Sequence, residues 1–265
     1  MATILITGAS SGFGFASALA LARRGETVIA TVRDMAKAAP LRAAGAGLKL
    51  DIVELEVTDP ASRRAAIDQA MARHGWIDVL INNAGVFSFG PAEMLGEADL
   101  RAQFETNVFA PFAMTATVLP KMRARRTGRI VNVTSVAAFG VRPFMSGYSA
   151  SKHALDAISS GMDRELAAFN VRVVSVGMVA FVTNIARSTP AGDTPYGDAP
   201  VRAFRAFKTR MHDLPDLTPA VDAIVEAATS EEPKRRYLVA PNETRFDAVV
   251  AEKEKLENAR PASST

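Results

Sequence analysis

The sequence predicts an α/β protein, a doubly wound parallel sheet of about seven strands flanked by helices. Three observations predict it. Short apolar runs rich in β-branched residues recur at Thr3 to Thr7, Thr27 to Val32, Leu50 to Val57, Val79 to Asn82, Arg129 to Thr134, Val171 to Val176 and Tyr237 to Ala240. Longer stretches with apolar residues at helical spacing separate them, the strand-helix-strand rhythm of a sheet covered on both faces. The first run also passes straight into a glycine-rich turn, Thr7-Gly-Ala-Ser-Ser-Gly-Phe-Gly14, ahead of the helical run Ala16 to Arg24.

The chain has 265 residues, 48% of them apolar, enough for one domain with a sizeable core. That domain is expected over residues 1–258, with a substrate loop at about 186–212 and a disordered tail at 259–265. The net charge of +3 comes from 31 basic and 28 acidic residues, and no basic block exceeds Arg125-Arg126 or Lys234-Arg235-Arg236, so nucleic acid is not an expected partner. Without cysteine the chain has no disulfides and no thiolate metal site. His74, His153 and His212 are scattered without ligand spacing, so no metal centre is expected. The opening residues carry no export signal, and no apolar stretch approaches the roughly 20 residues of a membrane span, so the protein is expected to be cytoplasmic.

In the first turn, Gly8 permits a sharp reversal, Gly12 lets the backbone approach a pyrophosphate, and Gly14 lets the helix pack closely, while the helix N-terminus favours negative charge. Ser10, Ser11 and Phe13 belong to the same candidate dinucleotide site. The turn lacks the Lys-Ser/Thr ending of an NTP-binding loop, which argues against phosphoryl transfer. After the second run comes Ala30-Thr-Val-Arg-Asp34. An acidic residue at that strand tip would accept from a ribose hydroxyl and repel a 2′-phosphate, but Val32 and then Arg33 stand there, which suits NADP(H). Asp34, one residue on, keeps NAD(H) as the alternative, or else is a helix-start carboxylate.

The chemistry is expected between Ser135 and Lys152. Tyr148 and Lys152 are four residues apart ahead of a helical run to Phe169, so both side chains should leave one helix face. A free phenol has a pKa of about 10, and a nearby ammonium would lower it toward a usable acid/base. Ser135 follows the buried run ending at Thr134, which puts its hydroxyl at a strand end, where the serine and the tyrosine can share one substrate oxygen. Taken alone, Tyr-x-x-x-Lys also describes a solvated surface pair.

Taken together, these motifs resemble the short-chain dehydrogenase/reductase family over roughly Ala2 to Thr183, and within it the hydroxysteroid and retinol dehydrogenase branch. Thr7, Gly8, Gly12 and Gly14 match its cofactor turn, Asn82 to Gly85 its Asn-Asn-Ala-Gly, Asn107 its helix asparagine, and Ser135, Tyr148 and Lys152 its catalytic set. The resemblance implies a Rossmann-type sheet. It further implies that Tyr148 transfers the proton, Ser135 orients the substrate oxygen, Lys152 lowers the tyrosine pKa and holds the nicotinamide ribose, and Asn107 anchors a relay water. Asn83, Ala84 and Gly85 would line the cofactor, as would Glu56 and Val57, where relatives have an aspartate beside the adenine. Phe87, Phe89, Val136 to Phe139, Phe144, Met145, Phe181, Phe204 and Phe207 suggest an apolar pocket, core packing being the competing role for each. After the sixth strand the family's Pro-Gly is replaced by Met178 and Val179, with Thr183 retained, and the two replacements are expected to face cofactor or substrate. The resemblance also implies a homodimer or homotetramer, packed through the helices around Asn107 to Lys121 and Tyr148 to Phe169, with Pro111 a kink in the first.

The expected function is hydride transfer between NADP(H) and an apolar ketone or its secondary alcohol. A 3-oxoacyl-thioester reductase is the second enzyme reading, favoured if a basic patch lies near the pocket. A non-catalytic dinucleotide sensor is the reading from another class.

Overall fold

The computed structural model describes residues 1–178, 186–188, 194–212, 216–239, 251–253 and 255. Val179, Phe181 and Thr183 and the 259–265 tail lie outside the described residues.

The element order is β1 (Thr3–Ile6), α1 (Gly12–Arg23), β2 (Thr27–Val32), α2 (Ala39–Ala44), β3 (Leu50–Glu54), α3 (Pro60–His74), β4 (Val79–Asn82), β5 (Phe87–Ser88), α4 (Glu97–Phe104), α5 (Ala110–Arg125), β6 (Gly128–Val133), α6 (Ser146–Leu166), β7 (Val171–Met178), β8 (Ala186–Ser188), α7 (Ala199–His212), α8 (Thr218–Thr229) and β9 (Arg236–Val239). The seven-stranded sheet runs β3-β2-β1-β4-β6-β7-β9 and every pairing in it is parallel. The chain winds outward one way from β1 through β3 and the other way from β4 through β9. The crevice between β1 and β4 is therefore the point where strand order reverses, where such sheets bind ligands.

Alternation along the strands builds two apolar layers. Ile4, Ile6, Val79, Ile81, Val174 and Val176 pack with Leu21 of α1 and Ile224 of α8. Leu5, Leu80, Ile130 and Val173 pack on the other face with Ile67 of α3 and Met114 of α5. Helix ends follow local chemistry. In α3 the Asp59 carboxylate accepts from the Ala61 and Ser62 N–H groups, Pro60 opens the helix, and Gly75 closes it with φ 82°.

Three differences from the sequence reading have physical causes. β3 ends at Glu54, not Val57, because the chain turns there to present Asp59 as the cap of α3. The segment expected as a loop at 186–212 contains β8, paired in parallel with β5 in a second small sheet, and the helix α7. The irregularity expected at Pro111 lies just upstream of it, as one π-helical turn over Glu105–Phe109. Proline has no N–H, so the carbonyl of Asn107, four residues before Pro111, cannot receive the α-helical bond from it, and the widened turn accommodates the break. Among the described residues no helix is long and apolar enough to cross a membrane.

Candidate active site

The C-terminal ends of β1, β4, β6 and β7 converge with the first turns of α1 and α6. At β1, the Thr7 hydroxyl accepts from the N–H groups of Asn83 and Ala84, both at 3.0 Å, and Asn83 Nδ2 donates to the carbonyls of Thr7 at 2.8 Å and Gly8 at 3.2 Å. The two loops at the crevice are thus stitched into one rim. Gly8 has φ 71°, and a Cβ there would meet Ala84 Cα at 3.0 Å. A Cβ on Gly14 would sit 2.4 Å from the Gly8 carbonyl oxygen and 2.5 Å from Asn83 Nδ2. Only glycine fits so close an approach. Ser11 stands at the N-cap of α1 without a side-chain cap bond, and the first turn holds no acidic residue. The helix N-terminus is therefore not neutralised by a carboxylate of its own first turn, so the turn fits a dinucleotide pyrophosphate.

Asn82 and Asn83 divide the work of their motif. Asn83 faces the rim, whereas Asn82 turns inward, its Nδ2 donating to Asn132 Oδ1 at 2.8 Å and to Thr115 Oγ1 at 3.3 Å. A Cβ on Gly85 would lie 3.4 Å from Asn107 Oδ1 and 3.7 Å from Lys152 Nζ, so the 83–85 segment passes directly beside both. The Asn107 side chain is fully engaged. Its Oδ1 accepts from the Val86 N–H at 2.9 Å, and its Nδ2 donates to the Val86 carbonyl at 2.9 Å and to Ser151 Oγ at 3.0 Å. Val86 and Ser151 are contributors that the motif reading passed over; Ser151 announces itself only as a small polar residue inside the Tyr-x-x-x-Lys interval.

At the second strand tip, Arg33 is 61% exposed at its side chain and its Nε stands 3.9 Å from Glu56 Oε2. The other Glu56 oxygen accepts from the Thr58 N–H at 3.0 Å and hydroxyl at 2.9 Å. Asp34 is the helix-start carboxylate, accepting from the Ala36 N–H at 2.9 Å to cap the turn Met35–Ala38. Val57 is buried, its carbonyl accepting from Arg63 at 2.7 Å.

Ser135 caps the short turn Val136–Ala138, its Oγ accepting from the Ala137 N–H at 3.1 Å and donating to the Met178 carbonyl at 3.2 Å. Met178 is the last residue of β7, and its buried side chain packs in the core layer with Val174 and Val176. This corrects the expectation that its side chain faces cofactor or substrate: strand alternation turns it inward, and its carbonyl is what meets Ser135.

Tyr148 and Lys152 lie one turn apart on α6, both buried. Burial pushes the Tyr148 phenol up to about 12, and a hydrogen bond with the Ser135 side chain works in the opposite direction. Burial likewise pulls the Lys152 ammonium down to about 8, while its Nζ donates to the Val133 carbonyl at 3.0 Å. The lysine was expected to bring the phenol below its ordinary pKa; here desolvation outweighs it.

An aromatic shell surrounds the phenol. The Phe87 ring meets Tyr148 edge-on at 4.8 Å, Phe89 meets Phe204 at 5.1 Å, and Phe87 meets Phe207 at 5.3 Å. Met145 and Phe144 complete this cluster, which is separate from the two sheet layers, and α7 supplies Phe204 and Phe207. Phe139 lies apart, against Gly177.

A family profile described as short chain dehydrogenase matches residues 2–193. The chain belongs to that family. It is 32% identical to the 3-ketodihydrosphingosine reductase of Bacteroides thetaiotaomicron, covering 90% of this chain and 87% of the relative. It is 31% identical to an NADPH-dependent 3-dehydrocapnine reductase of Ornithobacterium rhinotracheale, covering 93% and 90%. Human retinol dehydrogenase 5 is 33% identical, covering 89% and 80%, in keeping with the retinol and hydroxysteroid dehydrogenase branch. The crystal structure of a short-chain dehydrogenase from Streptomyces avermitilis superposes with a TM-score of 0.82 at 34% identity, covering 97% of this chain and 96% of the other. This short-chain dehydrogenase is thus a single-domain oxidoreductase with a Rossmann-type sheet.

Proposed function

We propose that this short-chain dehydrogenase transfers hydride between NADP(H) and the carbonyl of an apolar ketone or the matching secondary alcohol. The observation that carries this reading is the Tyr148 phenol, buried among Phe87, Phe89, Met145 and Phe204, with the Ser135 side chain acting to lower its pKa against that burial. The bound nicotinamide supplies the hydride. A carbonyl oxygen that gains negative charge needs donors aimed at it; Tyr148 Oη is one, and Ser135 Oγ becomes the second when its hydrogen turns from the Met178 carbonyl to the substrate. With its pKa near 12, Tyr148 carries its proton at neutral pH and can release it to that oxygen. Lys152 holds a positive charge beside the site below a pH of about 8.

The turn residues Gly8, Ser10, Ser11, Gly12, Phe13 and Gly14 would hold the pyrophosphate. Arg33 would take the 2′-phosphate, Glu56 and Val57 would border the adenine, and Asn83, Ala84, Gly85, Tyr148 and Lys152 would face the nicotinamide half. The name of the Ornithobacterium relative includes NADPH dependence, which supports the same cofactor here. Because the Asn107 side chain is engaged by Val86 and Ser151, its carbonyl, to which Pro111 can give no hydrogen bond, is the atom that would hold a relay water. Val179 and Thr183 are proposed as further cofactor contacts by resemblance alone. The exposed Phe109 and Phe112 of the α5 region support a homodimer or homotetramer.

The test follows NADPH oxidation with ketones, aldehydes and acyl thioesters, in wild type and Tyr148→Phe. Turnover on apolar ketones that falls by about 10²-fold or more in the variant, with NADPH still bound, supports the reading. NADPH binding without oxidation of anything in the panel would point to a sensor. The thioester reading draws on one feature, the outward Arg205 and Lys208 of α7 beside the pocket, and a thioester outrunning every free ketone would favour it.

A further inference from the structure

One turn beyond Lys152, α6 carries a carboxylate that the reaction does not use. Asp156 is fully buried, with Arg236 of β9 paired to it at both ends, Nε to Oδ1 and Nη2 to Oδ2 each at 3.1 Å. Lys253, in the helical turn at 251–253, adds its Nζ at 2.6 Å from Oδ2. The Arg236 fork already neutralises Asp156, so Lys253 is not needed to balance charge. What it adds is a third point of attachment.

That attachment reaches the serine as well. The same Lys253 Nζ lies 5.1 Å from the centre of the Phe139 ring, a cation-π contact. Phe139 closes the turn Val136–Ala138 that Ser135 opens, and its edge stands 3.3 Å from where a Cβ of Gly177 would be. Val239 of β9 pairs in register with Met178, whose carbonyl receives the Ser135 hydroxyl. One cation from the end of the chain therefore touches the helix of Tyr148 and the turn of Ser135 together.

We propose that Lys253 is a positioning residue, a staple through Asp156 and Phe139 that fixes the Ser135 turn against α6 and so sets the separation of the Ser135 hydroxyl and the Tyr148 phenol. The staple itself is independent of the activity; its catalytic consequence rests on the roles proposed for those two residues. Two donors serving one oxygen tolerate little error, since a misplacement of about 1 Å can cost about 10²-fold in rate.

The experiment uses the full chain with Lys253→Met, which keeps the stem and leaves the Asp156–Arg236 pair intact, and Lys253→Arg, which keeps the charge. Amide hydrogen exchange is followed over 135–140 and 146–157 without ligand, alongside kcat and KM for a ketone and the NADPH Kd. In Lys253→Met, exchange should quicken in both segments together and kcat should fall about tenfold, with the NADPH Kd within about twofold, and Lys253→Arg should restore both. Unchanged exchange in Lys253→Met overturns the proposal, as does an Arg variant that behaves like the Met variant, or a kcat that stays put while exchange quickens. A wild type that reduces no ketone sinks the proposed function alone. The exchange arm then decides the staple: coupled quickening rescued by arginine supports it, and no change overturns it.

Discussion

Lys152 holds its Nζ 5.9 Å from the centre of the Tyr148 ring and gives a hydrogen bond to the Val133 carbonyl at 3.0 Å. Burial therefore governs both groups, raising the phenol to about 12 and lowering the ammonium to about 8. For carbonyl reduction the phenol must carry its proton, which it does throughout the neutral range. The expected kcat/KM for reduction is flat near neutrality and falls above a pH of about 8 as Lys152 loses its charge. Alcohol oxidation, which asks Tyr148 to accept a proton, should instead rise with pH. Reduction that climbs steadily from about pH 7 to 9 would contradict these assignments.

Lys152→Met separates function from stability. The folded pKa of Lys152 lies below its ordinary 10.5, so burial of the charged form costs stability when both states are protonated, below a pH of about 8. Between those two values the unfolded chain binds more protons, and stability rises with pH. Methionine removes the penalty at similar length, so the variant should melt no lower than wild type near neutral pH, and the gap should narrow as pH rises. Turnover should drop by about 10²-fold. A variant that melts well below wild type at neutral pH would show that the Val133 hydrogen bond outweighs the desolvation.

Arg33→Ala should raise the NADPH Michaelis constant several fold and leave the NADH constant nearly unchanged. The guanidinium reaches into solvent with only a 3.9 Å approach to Glu56, while Asp34 is committed to its cap. A charge-assisted contact to phosphate is roughly twice as strong as a neutral one. Equal effects on the two cofactors would remove Arg33 from the phosphate site.

The strands were legible because parallel strands buried on both faces read as unbroken apolar runs, and each of the seven lies where such a run was seen. The dinucleotide turn was legible because Gly8 and Gly14 have no substitute. Other features depend on neighbours far along the chain. Lys253 meets Asp156 across 97 residues, with no local pattern to announce it. The pKa direction at Tyr148 depends on how Phe87 and Met145 close over it, which spacing alone does not encode. The helix α7 was hidden by the Pro- and Gly-containing stretch before it, although Phe204 and Phe207 already stood at helical spacing.

Gly14→Ala tests the rim. A methyl group there would meet the Gly8 carbonyl oxygen at 2.4 Å and Asn83 Nδ2 at 2.5 Å, two groups that the Thr7 and Asn83 hydrogen bonds hold in place. Overpacking of this kind costs about 1–3 kcal/mol. The variant should melt lower and lose dinucleotide affinity at least tenfold, by roughly the same free energy. Tight binding retained in isothermal titration would mean that the turn yields without disturbing the crevice.

The final prediction concerns the outer side of the α5 region. Phe109 and Phe112 are 53% and 50% exposed, three residues apart at the π-helical turn and the start of α5. Residues three apart on a helix are neighbours, so the two rings form one apolar patch rather than two isolated residues. Two large aromatics side by side in water are a liability in a monomer and an anchor in an assembly, since aromatic residues dominate interface energetics. The pair stands next to Asn107 and Val108, both buried, so a partner pressed on it would also stiffen the turn that holds Val86. Wild type is therefore expected to be a dimer or tetramer by light scattering at micromolar concentration. Phe109→Ser with Phe112→Ser should shift it toward monomer, and because both side chains are half exposed and lie outside the core clusters, the monomer should keep its fold while turnover falls. A wild type already monomeric, or a double variant of unchanged mass, would remove this patch from the interface.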